Sequence, residues 1–88
     1  MDREIRLKRL GFRATHRGTK EADLLIGGFF ERHSAGWTEA EIDWFEALMD
    51  EQDVDIMAWA IGTAEVPEAW RGPMMDDLKK LDYVPVEK

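Results

Sequence analysis

Residues 17–30 read Arg17-Gly18-Thr19-Lys20-Glu21-Ala22-Asp23-Leu24-Leu25-Ile26-Gly27-Gly28-Phe29-Phe30, a charged turn that runs without a break into the most apolar segment of the chain. Ala22, Leu25, Ile26 and Phe29 fall at i, i+3, i+4 and i+7, which is one face of a helix, and Leu24 and Phe30 widen that face. The spacing predicts a central helix over about 19–32. Just before it, Arg17, Gly18 and Glu21 make an R-G-x-x-E pattern at a turn, where glycine takes positive φ and leaves room for another backbone to approach. As a bare pattern it is also what a helix corner needs. Gly18 would cap one helix while Arg17 and Glu21 complement the two helix dipoles, at about 0.3–1 kcal/mol apiece.

Outward from this stretch the chain breaks into further helical segments. Residues 2–15 place Leu7, Leu10 and Ala14 on one side and charged residues on the other, which predicts an amphipathic first helix. Gly11 within it costs about 1 kcal/mol relative to Ala and leaves space for a neighbouring helix. Arg13, His16 and Arg17 put positive charge at its C-terminal end, where the dipole favours it. Thr38 followed by Glu41 has capping-box spacing and opens a third helix over 38–50, with Ile42, Phe45, Leu48 and Met49 apolar. Asp53 is the expected cap of a fourth helix over 53–61, whose apolar positions are Val54, Met57, Ala58 and Ile61. Pro73 suits the first position of a fifth helix over 73–81, carrying Met74, Leu78 and Leu81, and residues 83–88 read as a frayed tail. The sequence predicts an all-α, compact five-helix bundle forming a single domain over residues 1–88, with no strand and no repeat.

Composition narrows the function classes. The absence of cysteine excludes disulfides and zinc–thiolate sites. No apolar run approaches the roughly 18–20 residues a membrane span needs, and the first residues lack the apolar stretch of a signal peptide. An intracellular protein is expected. Residues 1–20 hold seven basic and two acidic side chains, net +5, which leaves −12 on residues 21–88 against a total of −7. A basic first helix on an acidic body suits an acidic protein surface better than nucleic acid or anionic lipid, which the remainder would repel. Arg9, Arg13 and Arg17 would meet that surface, and binding would weaken as salt rises.

Catalytic and metal patterns are missing. His16 and His33 stand 17 positions apart without an H-E-x-x-H arrangement and read as surface residues. Asp50, Glu51, Asp53 and Asp55 imitate a calcium loop, but starting from Asp50 the positions of an oxygen ligand and the turn glycine fall on Val54 and Asp55. Gly27 and Gly28 lie inside an apolar helix, where close helix packing explains them better than phosphate binding. Ser34, the only serine, has no patterned base beside it. Trp44, Trp59 and Trp70 suit a core or a groove lining. The pattern places neither Trp37 nor Trp70 and leaves both open to an exposed position.

The order of these features resembles one family. The basic first helix, Arg17-Gly18-Thr19-Lys20-Glu21, the Asp-Leu-Leu-Ile helix ending Gly-Phe-Phe, Leu48-Met49-Asp50-Glu51 and Asp53-Val54-Asp55-Ile56-Met57-Ala58-Trp59 together look like the small flavinylation factors of succinate dehydrogenase, the bacterial SdhE-type proteins and their mitochondrial counterparts. The likeness runs from about Ile5 to Leu81. It implies a five-helix assembly factor that is not an enzyme and has no cofactor of its own. Such a factor binds the apo flavoprotein subunit of succinate dehydrogenase, and sometimes of fumarate reductase, and promotes covalent attachment of FAD, the client's cofactor, to a histidine there. Carried onto this sequence, the family's motif falls on Arg17, Gly18 and Glu21, with His16, Lys20 and Asp23 as neighbours. The mitochondrial members' presequence and longer tails have no counterpart here, which favours a bacterial cytoplasmic protein; a monomer is expected when free, although no residue pattern sets the oligomeric state. Read from residues alone, an acidic helical adaptor with a non-flavoprotein client and a nucleic-acid-binding helical module remain open.

Overall fold

Helix starts follow the residues that can satisfy open backbone amides. In the computed structural model, which describes residues 2–83, the Asp2 carboxylate accepts from the Glu4 amide at 2.9 Å and opens α1 (Arg3–Thr15). Thr19 accepts from the Ala22 amide at 3.2 Å and opens α2 (Lys20–His33). Thr38 and Glu41 form the complete capping box that opens α3 (Glu39–Leu48), with Thr38 N donating to Glu41 at 2.7 Å and Glu41 N donating to Thr38 at 3.2 Å. Two elements then depart from expectation. α3 ends at Leu48, because the chain reverses there through amide donations from Asp50 to Ala47 and from Glu51 to Leu48. Asp53 is the first residue of α4 (Asp53–Ile61) instead of its cap; Gln52 holds the cap position without a side-chain bond, and the Asp53 carboxylate is taken by Arg17. α5 (Pro73–Lys80) begins on Pro73 as predicted and is followed by Leu81 in a left-handed conformation, φ 56°. Short 3-10 turns at Ser34–Gly36 and Glu68–Trp70 complete an all-α domain without strands among the described residues.

α2 lies at the centre, and its predicted face of Ala22, Leu25, Ile26 and Phe29 is buried. Leu24 is not part of that face; it is 45% exposed. Phe29 sits among aromatic rings, with Trp37, Tyr83 and Phe45 at centroid separations of 5.7, 5.4 and 6.1 Å. Trp37, which the helical spacing could not place, is therefore core, and its carbonyl accepts from Arg3 at 2.8 Å. Trp70 is half-buried, edge-on to Trp44 at 5.5 Å.

α1 packs on α2 at a distance that small residues set. A methyl group added at Gly27 would stand 2.8 Å from Thr15 Cγ2 and 3.3 Å from the Ala14 carbonyl, so only hydrogen fits there. Gly11 similarly faces the Phe30 ring at 2.9 Å. Both glycines serve the close approach of two helices, as their positions inside helices suggested.

The C-terminal part differs from the sequence reading in two ways. Tyr83 is not frayed: its phenol donates to the Leu78 carbonyl at 2.7 Å and its ring meets Phe29, while residues 84–88 of the expected tail lie outside the described residues. Burial, with a smaller contribution from Asp82, pushes that phenol above its ordinary value. His33 is likewise no plain surface residue, since its ring lies 5.0 Å from that of Phe29 and its Nε2 is 4.0 Å from Asp82. α4, finally, buries Ile56, Trp59 and Ala60 against the body, and Val54 and Ile61 of its predicted apolar positions face outward.

Candidate functional site

The chain leaves α1 at Thr15 and enters α2 at Lys20, so His16–Thr19 must turn it through a hairpin in four residues. Gly18 makes this possible with φ +114°, a conformation L side chains rarely adopt, and nothing lies within 4 Å of where its Cβ would be. The obstacle to a side chain at this position is backbone strain, with open space around it. Gly18, Thr19, Lys20 and Glu21 are all exposed. His16 is exposed as well, stacked on Phe12 with ring centroids 4.0 Å apart and its Nδ1 2.8 Å from the Phe12 carbonyl oxygen.

Arg17 points the other way. Its side chain, 11% exposed, reaches across to the turn between α3 and α4, where Nε donates to Asp53 at 2.6 Å, one terminal nitrogen donates to the Met49 carbonyl at 3.1 Å and the other to the Glu51 carbonyl at 3.0 Å. Its backbone amide donates to Asp23. One planar guanidinium thus satisfies an anion and two carbonyls left open by the end of α3, a geometry lysine cannot reproduce. Of the motif's members, Gly18 and Glu21, with Lys20 and His16 beside them, form the accessible surface. Arg17 and Asp23 hold its shape. Asp53, Met49 and Glu51 are the partners of Arg17 that sequence reasoning did not foresee, because they lie 32–36 residues downstream; the one visible signal was a cluster of carboxylates with no calcium-loop pattern.

The basic charge of α1 is also spent within the molecule. Arg6 meets Glu39, Asp43 and Glu46 of α3, and the hydrogen bonds it donates to Asp43 and then Glu46 raise its guanidinium above its ordinary value. Arg13 pairs with Asp50 at 2.9 Å. Of Arg9, Arg13 and Arg17, the three expected to meet an acidic partner, only Arg9 is exposed without an ion pair among the described residues. Part of the end-to-end polarity of the sequence is thus taken up within the fold.

A shallow hollow of ≈ 460 Å³ lies on the turn, lined by His16, Gly18, Thr19, Lys20, Asp23 and Leu24. Phe12, stacked on His16, is 64% exposed at its edge. Among the described residues no group of three or more His, Asp or Glu side chains is placed to hold a metal ion, and no helix is long and apolar enough to cross a membrane.

An all-α domain whose distinctive surface is a rigidly braced, exposed turn between its first two helices defines a class of small helical proteins. Comparison places the chain within it: the profile described as "Flavinator of succinate dehydrogenase" matches residues 8–82, and the chain belongs to that family. It is 40% identical over 70 residues to the FAD assembly factor SdhE of Acetobacter pasteurianus, covering 80% of this chain and 64% of that protein. It is 32% identical over 88 residues to the mitochondrial succinate dehydrogenase assembly factor 2 of Debaryomyces hansenii, covering 97% of this chain and 62% of that protein. The corresponding Candida glabrata factor is 40% identical over 76 residues, covering 83% of this chain and 48% of that protein. The chain spans less than two thirds of the length of each of these relatives. It is a member of a succinate dehydrogenase assembly factor family.

Proposed function

We propose that this protein binds the apo flavoprotein subunit of succinate dehydrogenase, or of the related fumarate reductase, and promotes covalent attachment of FAD to it. The observation that carries the reading is the exposed turn Gly18–Glu21, held in one conformation by Arg17 and Asp23, in a chain of the flavinator family. A rigid turn binds without first losing conformational freedom, which is how preorganised surfaces gain affinity. Gly18 lets a partner's backbone come close, Lys20 and Glu21 supply charges of opposite sign, and His16 offers a ring edge. The chain binds as a monomer, and Arg9 adds a free positive charge on the adjoining helix.

FAD belongs to the client, and the flavin supplies the bond-forming chemistry. The factor biases the client toward the arrangement in which that chemistry proceeds, and its effect is bounded by its differential affinity for that arrangement. The test mixes purified apo subunit and FAD with wild type, with Gly18→Arg or with no factor, and follows covalent flavin by in-gel fluorescence. Faster labelling with wild type alone is expected. Equal labelling in all three, with the client shown to be competent, would overturn the reading and favour a protein adaptor with another client.

A further inference from the structure

After its acidic first turn α4 is apolar all round, from Ile56 to Ile61, and the fold buries only one side of it. Ile56, Trp59 and Ala60 are buried, while Val54 and Ile61, seven positions apart on the opposite side, are 67% and 55% exposed. With Met57 and Ala58 they line a groove of ≈ 430 Å³ whose remaining walls are Thr19, Thr63 and Asp53. Thr19 is also a wall of the hollow on the turn, so the two depressions are neighbours across one residue. Of the five large apolar side chains that stand exposed among the described residues, Phe12 and Leu24 flank the turn on one side, Val54 and Ile61 lie across Thr19 on the other, and Ile5 lies elsewhere. Apolar groups gathered in one place on an otherwise strongly charged surface mark an interaction site.

We infer that the α4 groove is a second half of the docking surface, and that it receives an apolar segment of the same apo flavoprotein subunit that engages the turn. The inference rests on the function proposed above. Two observations select this occupant. The groove is continuous with the turn through Thr19, and the Arg17–Asp53 pair ties the first residue of α4 to the turn, so both halves present themselves as one rigid surface. Charge opposes a second copy of the chain: Asp50, Glu51 and Asp55 surround the start of α4, and a two-fold contact through this face would set them against their own equivalents. The fitting segment therefore carries one or two large apolar side chains with neutral or basic neighbours.

The test measures the affinity of the full chain for purified apo flavoprotein subunit, comparing wild type with Val54→Ser/Ile61→Ser, Gly18→Arg and the remote control Ile5→Ser. Sedimentation of each factor alone runs in parallel. The Val54, Ile61 and Ile5 side chains are exposed, so the helical content of those variants should match wild type, while Gly18→Arg strains the turn and its fold is checked by circular dichroism before its binding is read. The inference expects at least about tenfold weaker client binding for the α4 double variant, unchanged binding for Ile5→Ser, and no self-association of wild type. Wild-type binding that Gly18→Arg abolishes but the α4 variant leaves intact would overturn the groove and spare the turn. Self-association that disappears only in the α4 variant would assign the groove to a second copy and also overturn it. If wild type fails to bind a competent client at all, the docking function falls and the groove inference falls with it.

Discussion

Arg17→Ala is the sharpest structural perturbation of this site. The substitution removes donors from Asp53, Met49 and Glu51 together, and leaves Asp53, only 25% exposed at its side chain, without its cation. A hydrogen bond to a charged group contributes about 1.5–3 kcal/mol, and breaking a fully buried pair costs about 3–5 kcal/mol. Because the Asp53 carboxylate is partly exposed, the lower part of these ranges applies, and about 2–3 kcal/mol of stability should be lost. In a domain of this size each kcal/mol moves the melting temperature by roughly 4–8 °C, so a drop of about 10–20 °C is expected by circular dichroism. Arg17→Lys, which keeps the charge and loses the fork, should recover less than half of it. Asp53→Asn combined with Arg17→Ala should be less destabilising than the two single changes added together. Hydrogen exchange should quicken at residues 16–20 and 49–53 in the same variants. A melting temperature within about 3 °C of wild type for Arg17→Ala would refute the reasoning and return Arg17 to the exposed surface.

Other substitutions probe the remaining features. Gly27→Ala forces a methyl group against Thr15 and Ala14 and should destabilise by about 1–3 kcal/mol despite alanine's better helix propensity, whereas Gly11→Ala, which meets only the edge of the Phe30 ring, should cost less; chemical denaturation measures both. Tyr83, the only tyrosine, has a folded-state pKa above the unfolded value of 10.0. The folded state therefore keeps a proton that the unfolded state releases, so its contribution is fully present below about pH 10 and falls as pH rises beyond it. Melting curves between about pH 8 and 11 should show a steeper alkaline loss for wild type than for Tyr83→Phe, which itself gives up about 1 kcal/mol with the bond to Leu78.

Much of the fold was legible because its signals are local. Thr19 and Thr38 act on amides three residues away, and α2 has a single clean apolar face, so cap and periodicity agree. α4 could not be oriented the same way. Its apolar residues surround the helix, and Val54, Met57, Ala58 and Ile61 fit helical spacing as well as the buried Ile56, Trp59 and Ala60 do; only the positions of α2 and α5 choose between them. Trp37 belongs to no helix, and its burial follows from Phe29 and Phe45 meeting it in space. The candidate site divides likewise. The turn itself follows from Gly18 and Thr19, whereas Arg17's inward role depends on a loop more than thirty residues downstream that no spacing rule connects to it.

That dependence orders events in time. α1 and α2 are consecutive and pack on each other, so their hairpin rests on contacts near in sequence, the kind that form early in folding. The guanidinium of Arg17 finds its acceptors only after α3 has formed, ended at Leu48 and delivered the start of α4. A nascent or partly unfolded copy would show the hairpin without the brace. The braced turn is thus a property of the whole helical fold and not of the hairpin that displays it.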